Sequence, residues 1–335
     1  MNPIIYGIFP ELERFEVVSF GTQLLNSAAI VPGFVRAGVS VGQNATIRTP
    51  PIAPTNDVWW HFRANFPDAG TADENDVVEF RDSVTDQTFA RINADNGTYF
   101  LETSTNGSSF TRLAGASFGG LASSDINAGV TNEFDIHVVI NPGGTSTIEM
   151  FINQNPATFS FSGDLGPVTV CDQLQLTSAQ PFISSGTVEY FELLASDSPT
   201  FGTRIASNPI EATLLPNDFS GLVSDIASIS ADNTAFMSGG VGDEQAFRIG
   251  DLSAMAGTLN PVAVFVQATA QGDGVVGSLD VGVRIGGTFV PQNNVLGFAF
   301  QPVEAVYDFN NPVTGMPWTI TDIDNMEAFF RAVAS

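Results

Sequence analysis

The sequence contains no lysine. All 11 basic residues are arginine, which excludes Schiff-base chemistry and the P-loop, since both need an amine. Cysteine is nearly absent. One residue, Cys171, excludes an intrachain disulfide and any Cys-rich zinc site. Histidine is limited to His61 and His137. Positive charge is scarce: 11 Lys+Arg face 36 Asp+Glu, a net charge of −25. That balance opposes wrapping nucleic acid, which needs clustered cations to displace counterions. It equally opposes docking on an anionic membrane. No apolar run approaches the ~20 residues of a membrane span, so no membrane insertion is expected. The first residues, Met1 to Tyr6, lack a basic stretch and are followed by Glu11, Glu13 and Glu16. A secretory signal is therefore not expected.

What is present points to a folded β protein. Hydrophobic residues make up 43% of the 335, with 28 Phe and 32 Gly, too apolar for a disordered acidic tail. The length suits two domains. Short apolar runs bounded by Gly, Asn, Asp and Pro recur, and helical periodicity is rare. Strands are predicted at Val58–Arg63, Val77–Arg81, Thr88–Ile92, Tyr99–Glu102, Ser109–Leu113, Phe134–Ile140, Thr147–Ile152 and Thr187–Leu194. Turns are predicted at Asp95-Asn96-Gly97, Thr105-Asn106-Gly107 and Asn141-Pro142-Gly143-Gly144, because Asn-Gly supplies the positive φ of tight hairpins. Composition shifts near Ser196–Pro199 and Asn208-Pro209. Beyond that shift, strands are predicted at Asp225–Ile229, Ala235–Met237, Gln245–Ile249, Val262–Ala268 (the best candidate for a buried strand) and Ser278–Ile285. Gly286-Gly287 is the next turn. A helix is predicted from a Thr321 cap, placing Ile323, Met326, Phe330 and Val333 on one face. The expected architecture is all-β: two tandem antiparallel β-sandwich domains, jelly-roll-like, with a short C-terminal helix. The expected divisions are an attachment or edge segment at 1–30, a larger sandwich at 31–207 and a smaller one with the helix at 208–335.

Candidate chemistry is sparse. His61 and His137 both fall within predicted strands and read as structural histidines. No Gly-x-Ser-x-Gly elbow exists for a Ser-His-Asp arrangement. Glu133-Phe134-Asp135 begins the Glu-x-Asp-x-x-Glu pattern of retaining glycosidases on sandwiches, but Val138 replaces the third carboxylate. These two acids read as a solvated strand end. Asp73-Glu74-Asn75-Asp76 offers oxygen ligands for Ca²⁺ without EF-hand spacing; an exposed acidic loop is expected, with no cofactor and no metal site. Asn44, Asn96 and Asn106 head glycosylation sequons and read as turn chemistry. Cys171 reads as a half-buried thiol with no cation to lower its pKa. Period-2 alternation puts Trp59 with His61 on one strand face and Trp60 with Phe62 on the other, so at least one pair is core. The ligand-binding candidates are Trp59, Trp60, Asp73 and Asn106; no catalytic residue is assigned.

Several stretches carry a resemblance. Gly33-Phe34-Val35-Arg36-Ala37-Gly38, Val58–Phe62, Phe134–Val138 and Asp197–Arg204 resemble the concanavalin A/laminin-G-like sandwiches of tailed-bacteriophage structural proteins. Val264–Ala268, Leu279–Arg284 and Asn311-Pro312-Val313-Thr314-Gly315-Met316-Pro317-Trp318-Thr319 resemble the small C-terminal module that follows such sandwiches. The resemblance implies a virion component without catalytic residues. It is expected as a surface-exposed tail or neck appendage for host adsorption and glycan binding, oligomeric and in contact with other virion proteins. A capsid decoration or cement protein, with Gly297-Phe298-Ala299-Phe300 as a contact loop, is the alternative. A polysaccharide depolymerase is the third reading.

Overall fold

The computed structural model describes residues 4–5, 16–19, 24–31, 34–41, 45–65, 75–95, 98–117, 132–155, 159–178, 188–201, 210–226, 236–250, 262–270, 277–299, 301–307 and 310–334. The chain forms two compact units, most of the first lying before Ile205 and most of the second beginning at Ala206. The first contains β1 (Ile4–Ile5), β2 (Glu16–Ser19), β3 (Leu24–Val31), β4 (Phe34–Val41), β5 (Ala45–Arg48), β6 (Asp57–Asn65), β7 (Asn75–Asp82) and β8 (Gln87–Asp95). It continues with β9 (Thr98–Thr103), β10 (Thr111–Ser117), β11 (Asn132–Val139), β12 (Ser146–Ile152), β13 (Phe159–Gly163), β14 (Gln173–Ser178) and β15 (Val188–Ser196).

These strands form two antiparallel sheets. One runs β13-β12-β11-β6-β15-β4-β3, with β1 also paired to β15; the other runs β10-β9-β8-β7-β14-β5-β2. Alternation decides what each strand buries. Val58, Trp60, Phe62 and Ala64 of β6, with Phe134, Ile136 and Val138 of β11, meet Val78 and Phe80 of β7 and Leu174 and Leu176 of β14 in one core. Full burial of each large apolar side chain contributes about 1.5–3 kcal/mol. Polar bridges tie the sheets together: the Tyr190 hydroxyl donates to the Val77 carbonyl at 2.7 Å. The hairpins follow the predicted turn chemistry. Gly107 and Gly143 have φ of +72° and +71°, and the Gly144 N–H donates to the Asn141 carbonyl at 2.9 Å. Asp95 pairs with Thr98; the intervening Asn96-Gly97 lies outside the described residues.

The second unit contains β16 (Ile210–Asn217), α1 (Val223–Ile226), β17 (Glu244–Ile249), β18 (Val262–Ala268), β19 (Ser278–Ile285), β20 (Thr288–Val295), β21 (Gln301–Tyr307), α2 (Ile320–Asp324) and β22 (Glu327–Val333). A five-stranded sheet, β16-β17-β22-β19-β20, shares a core with the pair β18-β21. The all-β architecture of antiparallel sandwich units is thus present.

Three local expectations are corrected here. Asp225–Ile229 is not a strand where it is described: Val223–Ile226 forms one helical turn, because Val223 and Ile226, three apart, both pack on the core. Phe236 and Met237 lie outside any strand, next to a single bridge between Ser238 and Ser220; Ala235 is outside the described residues. The terminal helix is only five residues long, and its cap is Thr319. Thr319 Oγ1 accepts from the Asp322 N–H while Asp322 Oδ2 accepts from the Thr319 N–H, a capping box. Residues 327–333, expected on that helix, form a strand between β17 and β19. Burial on both faces explains the choice: Ala328 and Phe330 enter the core while Phe329 packs on Phe289 across the other face.

Candidate functional site

The outer face of the first sheet brings polar chemistry together. β6 and β11 run antiparallel, with Trp59 opposite His137, His61 opposite Asp135 and Arg63 opposite Glu133. Directly opposed residues have Cβ atoms roughly 4.5–5.5 Å apart, so this register alone creates three pairs from two short segments.

The first pair anchors an aromatic cluster. The Trp59 ring stacks on His137 with centroids 4.4 Å apart and planes at 6°. Phe151 lies 5.9 Å from Trp59, and Phe201 stands edge-on to both at 5.1 and 4.8 Å. Phe201 is 44% exposed and Trp59 only 8%. Carboxylates flank the histidine: His137 Nε2 is 2.8 Å from Asp57 Oδ1, and Nδ1 is 3.6 Å from Glu149 Oε2. Both acids reach solvent. This part of the face is an aromatic shelf with an acidic rim.

The second pair is closed off. His61 Nδ1 is 2.8 Å from Asp135 Oδ1, with both side chains fully buried. The Thr200 hydroxyl donates to the same Asp135 oxygen at 2.6 Å. Glu133, also buried, accepts from Gln154 Nε2 at 3.3 Å. One ligand atom each from His61, Glu133 and Asp135 lie within 4.8 Å of one another, making these three a potential metal-holding group. Glu133 and Asp135 are therefore not the solvated strand end expected from sequence. Residues packed on this sheet face shield them, and no linear pattern announces that cover.

The four sequence candidates separate. Trp60 is fully buried in the sandwich core, and its Nε1–H donates to Cys171 Sγ at 3.4 Å; it cannot be a ligand platform, which corrects that expectation. Cys171 is likewise fully buried rather than half-buried, and burial pushes its thiol pKa upward. Trp59 reaches the outer face of the sheet but is covered by its neighbours, and the more exposed ring is Phe201, which sequence reading did not single out as a site residue. Asn106 is exposed but occupied: its Oδ1 accepts from Ser108 N–H, Ser109 N–H and the Ser104 hydroxyl at 2.9, 2.8 and 3.2 Å. It builds a turn and lies on the opposite sheet's hairpin. Asp73 lies outside the described residues, as do Asn44, Asn96 and Phe300. What could have shown the site was the joint parity of Trp59-x-His61-x-Arg63 and Glu133-x-Asp135-x-His137, once the two strands are taken as antiparallel neighbours.

No protein-family model and no curated protein matches this chain. Among solved structures, it is similar to an endo-β-1,4-glucuronan lyase from the fungus Trichoderma reesei, at 9% identity over 55% of this chain and 90% of that one, with a TM-score of 0.38. It is similar to an alginate lyase in complex with alginate trisaccharide, at 10% identity over 58% and 97%, TM-score 0.38. It is also similar to the binding domain of botulinum neurotoxin serotype D, at 9% identity over 55% and 43%, TM-score 0.38. Overlap at this level assigns neither substrate nor activity. The class defined by the structure itself is an all-β protein of antiparallel sandwich units.

Proposed function

We propose that this chain is a non-enzymatic structural protein displayed on a tailed-phage particle, as a tail or neck appendage that contacts a host surface glycan. The observation that carries the binding role is the shelf of Trp59, His137, Phe151 and Phe201, with Asp57 and Glu149 at its rim. An exposed aromatic face beside hydrogen-bonding groups suits a sugar ring, which has an apolar face and polar edges. The adjacent imidazole–carboxylate group offers no competing acid–base role toward a polymer, because it is buried. Support for the virion setting comes from the sequence resemblance described above. Its most specific stretch builds a tight structural knot: the Asn311 side chain accepts from the Val313 and Thr314 N–H groups at 2.9 and 3.3 Å, and Trp318 is buried in the core.

Two measurements test the reading. Immunogold labelling of intact particles is expected to mark the tail or neck. Label over the whole shell would make the protein a decoration or cement component, and absence from particles would overturn the virion role. Glycan-array binding is expected to fall at least ten-fold in Phe201→Ala. Release of reducing or unsaturated sugar ends by the purified chain would instead establish a depolymerase.

A further inference from the structure

We infer, resting on the glycan-binding reading of the aromatic shelf, that the shelf selects a hexosamine carrying a free ammonium group and rejects sugars bearing carboxylate, sulfate or phosphate. Strand pairing sets up the selection. Trp59, His137, Glu149 and Ser160 are directly opposed across β6, β11, β12 and β13. Two residues along each strand, on the same sheet face, the row from Asp57 to Ser162 adds a carboxylate, two hydroxyls and a valine. Across both rows, the His137 imidazole is the one group able to hold a positive charge. Arg63, the arginine of β6, is four residues from Trp59 and stands opposite Glu133. That separation is about 13 Å along the strand, a range at which salt of ~0.1 M screens its charge.

The rim stays negative in either state of the ring. Asp57 Oδ1 is 2.8 Å from His137 Nε2, and Glu149 Oε2 is 3.6 Å from Nδ1, on separate edges of the imidazole. One ring holds at most one positive charge, so two carboxylates around it leave negative charge over. Both acids are open to a ligand, with the Asp57 side chain 61% and the Glu149 side chain 45% exposed. Phe201, 44% exposed, supplies the apolar surface beside them. A hexosamine is complementary on both counts. Its C–H face packs on an aromatic ring, and its ammonium meets a carboxylate in a charge-assisted hydrogen bond, roughly twice as strong as a neutral one. An N-acetyl group offers no charge to that rim. An acidic sugar sets like charge against it, on a chain already at −25.

The experiment measures binding of the full chain to oligosaccharides of glucosamine, of N-acetylglucosamine and of galacturonic acid. The first two series share ring and linkage and differ only at the amine. Expected is roughly five-fold or tighter preference for the glucosamine series at ~0.01 M salt. The preference should shrink at ~0.15 M, where the Debye length falls from about 30 to about 8 Å. Asp57→Asn combined with Glu149→Gln should bring the glucosamine and N-acetylglucosamine series level, and Phe201→Ala should weaken both. Circular dichroism establishes that the variants are folded; if the double variant is not, the salt dependence of the wild-type preference decides. Equal binding of the two series, preference for galacturonate, or a preference retained in the folded double variant overturns the inference. The last result would reveal general attraction of an acidic chain for polycations. Where the N-acetylglucosamine or galacturonate series binds as well or better and Phe201→Ala weakens it, the shelf remains a glycan site and only its charge preference fails. Where no series binds, the glycan role and the inference fall together.

Discussion

Glu102 shows how a single acid can organise part of a sheet. It is buried on β9, and its carboxylate accepts from Arg91 Nε at 2.7 Å, Arg112 Nε at 2.8 Å and Asn93 Nδ2 at 3.1 Å. The two guanidinium groups also lie over Phe110 and Phe100, at 4.0 and 4.2 Å. Burial by itself would raise the Glu102 pKa; the hydrogen bonds from Asn93, Arg112 and Arg91 outweigh it and hold the carboxyl below its ordinary value. Asp82 behaves alike: burial is opposed by backbone N–H donors of Thr169, Thr85 and Val84, and its pKa is lowered. The unfolded chain therefore binds more protons than the folded one in acid. Stability from these groups is complete above their unfolded pKa values of about 4 and is lost as pH falls through the lower folded values. Urea midpoints measured from pH 6 down to pH 3 should fall, and Glu102→Gln should flatten that dependence. Glu102→Ala should cost about 1–3 kcal/mol, since both arginines lose a charged acceptor but retain partial access to water.

At the scale of the element, β22 is the informative case. Its apolar residues fit a helical stripe when read alone, yet the segment is a central strand with antiparallel neighbours on both sides. Phe330, opposite Val281 and Gln245, is a buried member of the second core. Phe330→Ala should cost about 3–5 kcal/mol in denaturant melts. Backbone amides from Ala328 to Arg331 should be among the slowest to exchange in the second unit; rapid exchange there would contradict a central strand. Gly282, on β19, supplies a second test. A Cβ at that position would lie 2.2 Å from the Val290 carbonyl and 2.8 Å from the Tyr307 hydroxyl. That hydroxyl also accepts the Val283 N–H at 3.1 Å. Gly282→Ala should therefore separate β19 from β20, lowering the thermal midpoint of the second unit by several degrees. The sequence showed this strand's alternation of Leu279, Val281, Val283 and Ile285, but not the tyrosine that demands the glycine. Val262–Ala268 reverses the lesson: the most convincing run for a buried strand belongs to a two-stranded sheet, with Val262, Val264 and Val266 only half-buried.

For the molecule as a whole, a net charge of −25 means that folding concentrates like charges. Added salt should raise the thermal midpoint, because screening at about 0.15 M shortens electrostatic reach to about 8 Å. A melting series in NaCl checks this, and a midpoint that falls with salt would show that attractive pairs dominate instead. Each unit has its own apolar core, in keeping with a chain of this length supporting more than one. The second unit also carries exposed large apolar residues, including Leu215, Val241, Val295, Phe298 and Met316.

The sequence by itself determined the all-β class, most strand positions and the turns at Gly107, Gly143 and Gly286-Gly287. The reason is local: alternation needs only neighbouring residues, and positive φ is a property of one residue at a time. It also determined which chemistries have no residues to perform them. Tertiary structure decided the rest. Parity placed Trp59 and His61 on one face, but only the pairing of β6 with β11 set His61 against Asp135, and only packing on that face buried both. The fate of residues 327–333 was likewise settled by neighbours on two sides. Contacts of long sequence separation choose between local options of similar energy, and a linear pattern carries no record of them.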